Sequence, residues 1–109
     1  MDRFARGAEL WARGQPFEAH EVWEDLWRET APRSRERALL AGLIQACAAT
    51  LQARRGKWDG VARLIDRACG NLAAAGAHDF AAVLRHWAGR GDPPALPGNL
   101  WPPATSKQS

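Results

Sequence analysis

Three residues in one short stretch have the types and spacing to do chemistry. His20, Glu21 and Glu24 read as H-E-x-x-E. On a helix, residues four apart stand one turn above each other, so His20 and Glu24 can face one divalent ion. Glu21 then takes the place of the general base in an H-E-x-x-H metalloprotease. The match is incomplete. The second histidine is missing, a catalytic zinc needs a third protein ligand, and Glu21 points roughly 100° away from His20. The remaining histidines, His78 and His86, are not placed near His20 by any feature of the sequence. A structural reading competes with the metal reading. Gln45 is a lone amide on an otherwise apolar helix, and a buried amide needs partners. His20, Glu24 and Gln45 would satisfy one another where their helices pack, with the imidazole ring resting on a tryptophan. Nucleophilic catalysis has little support. No Gly-x-Ser-x-Gly turn and no phosphate-binding glycine loop is present. Cys47 lies mid-helix among apolar residues, the setting of an inert thiol, and the same holds for Cys69. With no C-x-x-C, two buried reduced thiols are the expectation.

The elements that must carry these residues are helices. Phe4, Ala8 and Trp11 share one face of a first helix over 2–13, and Gly14 suits its stop. Pro16 suits the first turn of a second helix running to Thr30. On that helix Val22, Leu26, Ala19, Trp23 and Trp27 share the core-facing arc. Glu18, Glu21 and Asp25 lie opposite, and His20 and Glu24 stand at the border next to Trp27. Pro32 ends the segment, and Ser34 caps a third helix over 35–55. From Ala38 to Ala53 this helix carries no charge. Leu39, Leu40, Leu43, Ile44, Cys47 and Leu51 form one face. Small residues and two glutamines, among them Gly42, Gln45 and Gln52, form the other and permit close helix approach. An apolar or small surface all round marks a central helix. A fourth helix follows over 58–75 through Trp58, Val61, Ile65 and Leu72. A fifth covers 80–88, capped by Asp79, through Val83, Leu84 and Trp87. Gly14, Gly56 and Gly76 each precede an aromatic residue that opens a helix. This resembles the tetratricopeptide hairpin pattern, without a strict period.

Residues 92–109 hold five prolines and no helical period. They read as an extended tail pinned by Leu96, Leu100 and Trp101, with the last six residues disordered. Residues 1–91 read as one helical domain.

Charge is uneven. Residues 1–30 sum to −3 and residues 31–72 to +5, with +1 beyond, giving the formal +3. Such asymmetry suits complementary packing or self-association. The cations are interleaved with a core pattern, which disfavours a nucleic-acid surface. No apolar run reaches membrane-spanning length and no signal-peptide core opens the chain, so a cytoplasmic protein without a membrane segment is expected.

The run Phe17-Glu18-Ala19-His20-Glu21-x-x-Glu24-x-x-Trp27, the segment Gly42-Leu43-Ile44-Gln45 and the pair Gly56 and Gly60 together resemble a family of small helical bacterial and archaeal proteins, DUF309. The resemblance covers about residues 4–73. In the family pattern asparagine follows the first of the two glycines and alanine the second, where this chain has Lys57 and Val61. The resemblance implies an all-α multi-helix fold, and it implies no established activity. It singles out His20, Glu21, Glu24 and Trp27, with Gln45, as the positions on which the family pattern is built.

The expectation is an all-α bundle of about five helices around a central apolar helix 35–55. The expected function is a non-catalytic interaction or scaffold protein without a cofactor, with a structural His-Glu-Gln cluster and a protein partner or a second copy as its ligand. Its candidate binding residues are Trp23, Trp27 and Gln45. The alternative is a small metal-dependent hydrolase. It would use His20, Glu21 and Glu24 in catalysis, with His20 and Glu24 as ligands of a divalent ion.

Overall fold

The computed structural model describes residues 2–103. Five helices follow in order: α1 (Arg3–Ala12), α2 (Pro16–Glu29), α3 (Arg35–Arg54), α4 (Trp58–Ala74) and α5 (His78–Trp87). The expectation of a disordered stretch over 104–109 falls outside the described residues.

Local chemistry sets the helix ends. Asp2 caps α1 by accepting from the Ala5 N–H at 2.7 Å, and Ser34 caps α3 by accepting from the Arg37 N–H at 3.0 Å. Such caps satisfy donors that the first helical turn leaves open. Three links share one construction. Gly14, Gly56 and Gly76 all have positive φ, between 70° and 85°. The next residue in each case, Gln15, Lys57 or Ala77, donates its N–H five residues back, to Leu10, Gln52 or Leu72. This is the Schellman turn, in which glycine adopts the left-handed conformation without a Cβ penalty. The following helix begins at the very next residue each time. The same construction at the third link starts α5 at His78. Asp79 therefore lies in the first turn instead of capping it, where its charge still suits the helix dipole.

Each helix packs chiefly on its neighbours in sequence: α1 on α2, α2 on α3, α3 on α4 and α4 on α5. The central position falls to α3. Leu39, Leu40, Leu43, Ala46, Cys47 and Ala49 are fully buried. Its buried arc is rotated from the expected one: Gly42, Ala49 and Thr50 are covered, and Ile44 and Leu51 are only half-buried. Gly42 explains the rotation. A Cβ there would lie 2.8 Å from Leu72 Cγ and 3.0 Å from the Ala68 carbonyl, so α4 rests directly on the α3 backbone. On α5 the buried residues are Phe80, Ala81, Leu84 and Trp87, and Val83 faces outward.

The α1–α2 contact is also set by a glycine. Trp23 is fully buried, and its ring occupies the space that a Gly7 side chain would need. The Trp23 indole N–H donates to the Phe4 carbonyl at 3.1 Å. Arg3 clasps Glu29 at the outer edge of this pair. Beyond α5 the chain turns at Gly89 and runs back over α1. Leu100 is buried, and Trp101 stacks on Phe4 at 4.9 Å with 7° between the ring planes. Among the described residues no helix is long and apolar enough to cross a membrane.

Candidate functional site

The border of α2 extends into a groove over α3. Trp27 is half-buried and the Arg37 guanidinium lies 3.9 Å above its ring. Arg37 also donates to the carbonyls of Trp27 (3.2 Å) and Thr30 (3.1 Å). One side chain thus bonds two carbonyls at the end of α2 and fixes the start of α3 against it. From this point a shallow depression runs across Ala38 and Ala41 of α3 to Asn71 and Ala74 of α4.

The floor continues along α3. Ala38, Ala41, Gln45, Ala48 and Gln52 recur every three or four residues and are all half-buried. They form the stripe opposite the arc that packs into the core. Helices α2 and α4 flank it. On α2, Glu24, His20 and Phe17 follow Trp27 toward the N-terminus at steps of three, four and three residues, so they extend the same edge. Glu24 and His20 are half-buried and Phe17 is 55% exposed. On α4 the Asn71 side-chain amide donates to Gln45 Oε1 at 2.8 Å, closing the opposite edge. This pair leaves the Gln45 amide donors and the Asn71 carbonyl acceptor without a partner inside the described protein, and neither group is sealed from solvent. At the far end of the floor, beside Gly60, Gln52 Oε1 is buried without a hydrogen-bond partner.

The sequence-derived candidates separate in this frame. Trp27 lines the depression, Gln45 belongs to the half-buried stripe of α3, and His20 and Glu24 are half-buried on the same edge of α2 as Trp27 by helix spacing. Glu21 is exposed on the outer face of α2. Trp23 is a correction to the expected binding set. It is a core residue, completely buried, with its only donor engaged by Phe4. The expected bond from Gln45 to His20 or Glu24 is also replaced, because Gln45 turns to Asn71. Glu24 instead pairs with Arg28 one turn along α2, at 3.4 Å. Among the described residues no hydrogen bond reaches the His20 ring. No three His, Cys, Asp or Glu side chains there converge as a metal site requires.

Two members of the site escaped sequence reasoning. Asn71 is an amide on the apolar face of α4, and the question of what satisfies Gln45 could have found it. Arg37 carried no signal, since a charge in a first helical turn ordinarily faces solvent.

The thiols fit the inert reading. Burial pushes the Cys47 thiol far above the ordinary range. Cys69 is likewise raised by burial, and its Sγ–H donates to the Ala81 carbonyl at 3.2 Å.

No curated protein and no solved structure matches the chain. A family model described as Domain of unknown function (DUF309) matches residues 4–64, more than half of the 109 residues. The match takes in α1, α2, α3 and the first part of α4, and with them the α2 edge and the α3 floor of the groove. The chain therefore belongs to the DUF309 family.

Proposed function

We propose that the protein is a non-catalytic binding module whose groove over α3 accepts a peptide segment of a partner protein. One observation carries the reading. Trp27 of α2 lines a depression that crosses Ala38 and Ala41 of α3 to Asn71 of α4, and Asn71 in turn holds Gln45. The chemistry of the groove suits a peptide. Its floor of alanines lets a backbone approach closely. The Gln45–Asn71 pair leaves the Gln45 amide donors and the Asn71 carbonyl acceptor open, groups that can bond a peptide backbone. A general base needs a hydrogen-bonded orienting group and a nucleophile within reach. Among the described residues His20 has no such orienting partner, and Glu24 is tied to Arg28, which supports binding over catalysis.

The test is selection of displayed random peptides on the wild-type chain, followed by affinity measurement against Ala41→Arg. Ala41 is half-buried on the groove floor. An arginine there keeps the helix and blocks the groove. Recovered peptides should lose at least about tenfold in affinity, about 1.4 kcal/mol. Peptides that bind Ala41→Arg as tightly as wild type would refute the assignment. The bound segment can come from another protein or from a second copy, and light scattering across concentration separates the two.

A further inference from the structure

A second surface lies on α1, away from the groove. Helix α1 packs chiefly on α2. Its remaining apolar side, formed by Phe4, Ala8 and Trp11, is covered by the segment after α5. That segment begins Asp92-Pro93-Pro94-Ala95-Leu96-Pro97. Proline fixes φ near −65° and pushes the preceding residue to extended backbone. Asp92, Pro93 and Leu96 each precede a proline, so most of the run is set toward polyproline II before it meets anything. The segment and the Phe4–Ala8–Trp11 face of α1 stand on the two sides of one cavity. The Trp11 indole N–H donates to the Pro94 carbonyl at 2.9 Å, across 83 residues of sequence. Trp11 is only 5% exposed beneath it, and Trp101 stacks on Phe4 at the other end. An open cavity of about 790 Å³ runs alongside, between the segment and Ala5, Ala8 and Ala12. The receptor face lies within the stretch matched by the family model, and the segment that occupies it lies beyond that stretch. Gly91, with positive φ and open space around its Cα, joins the segment to the packed body.

We infer that the Phe4–Ala8–Trp11 face of α1 is a docking groove for proline-rich, polyproline-II segments, and that residues 93–97 hold it closed as a displaceable intramolecular ligand. The tether supplies an effective concentration on the order of millimolar. A free segment therefore binds weakly until the resident one is loosened. The indole N–H of Trp11 gives the orientation, as a donor aimed at a carbonyl of the ligand. Apolar contact with Phe4 and Ala8 accepts the proline rings.

The test uses the full-length, ¹⁵N-labelled chain and a synthetic peptide of residues 92–103. It compares wild type, the double variant Pro94→Gly/Pro97→Gly, and that variant with Trp11→Phe. The glycines free the backbone of the resident segment and leave α1 intact. The loosened variant should bind the peptide at least tenfold more tightly than wild type, and the peptide should move the Trp11 indole N–H signal. Adding Trp11→Phe should weaken binding at least fivefold, because the ring remains and the donor is lost. Failure of the loosened variant to bind, equal affinity for wild type, or equal affinity after Trp11→Phe would each overturn the proposal. If the glycine variant loses its helical circular dichroism, hydrogen exchange of the wild-type chain decides. The Trp11 indole N–H should exchange at least tenfold faster than the slowest α3 amides, reporting release of the segment without unfolding. Equal protection of both would overturn the proposal.

Discussion

Substituting Gly7 by alanine adds one methyl group to α1 at the point where Trp23 crosses it. On propensity alone the change should stabilise the helix by about 1 kcal/mol. The packing says otherwise. The added Cβ would stand 2.5 Å from Trp23 Cε2 and 2.6 Å from Cδ1, inside the van der Waals surface of a fully buried ring. Either the indole tilts or α1 lifts from α2. Overpacking of this kind costs roughly 1–3 kcal/mol. Movement of the ring also breaks the Trp23–Phe4 hydrogen bond, a further loss of about 0.5–1.5 kcal/mol. Against the propensity gain, the net change is a destabilisation of roughly 1–3 kcal/mol. Gly70 is the control. It lies exposed on α4, and a Cβ added there would meet nothing within 4 Å. Gly70→Ala should therefore stabilise by about 0.5–1 kcal/mol. Urea unfolding at 25 °C measures both, and the two midpoints should move in opposite directions. A Gly7→Ala variant as stable as wild type, or more so, would refute the packing argument.

Four further outcomes are expected. Glu24→Gln should change stability by less than about 0.5 kcal/mol, because its pair with Arg28 is long and half-exposed. Gln45→Leu and Asn71→Leu should each cost about 0.5–1.5 kcal/mol in urea unfolding, with the double variant less than additive, as expected for one shared hydrogen bond. Zinc or manganese chloride should shift the melting temperature of wild type and His20→Ala equally, since no third ligand converges on His20 among the described residues; a rise that depends on His20 would restore the metal reading. Cys47 and Cys69 should react with a thiol reagent at pH 8 only at the rate of opening, because burial raises both thiols and holds them protonated; fast stoichiometric labelling of the native protein would contradict this.

The helices were legible in the sequence because their boundaries are made by local chemistry. Pro16, Ser34 and the glycines at 14, 56 and 76 act on their own backbone neighbours, and the helices begin and end beside them. The central place of α3 was legible for the same kind of reason, since a chargeless run has no face to give to water. What sequence could not supply was orientation to within one side chain. The buried arc of α3 is turned because Gly42 admits Leu72, a contact between residues thirty positions apart. The site illustrates the same limit. Border placement of His20, Glu24 and Trp27 followed from helix period alone. The partner of Gln45 depended on tertiary packing, and Asn71 of α4 provides it. Asp79 shows the reverse case, a residue with capping chemistry left two positions inside the helix because Ala77 takes the N-cap place.

The most direct test of groove binding is chemical-shift mapping with a peptide selected on the wild-type chain. Binding in the groove requires shifts at the Trp27 indole N–H, the Gln45 and Asn71 side-chain amides and the backbone amides from Ala38 to Gln52, all lost in Ala41→Arg. Shifts confined to other faces of the molecule, with these signals unmoved, would contradict it.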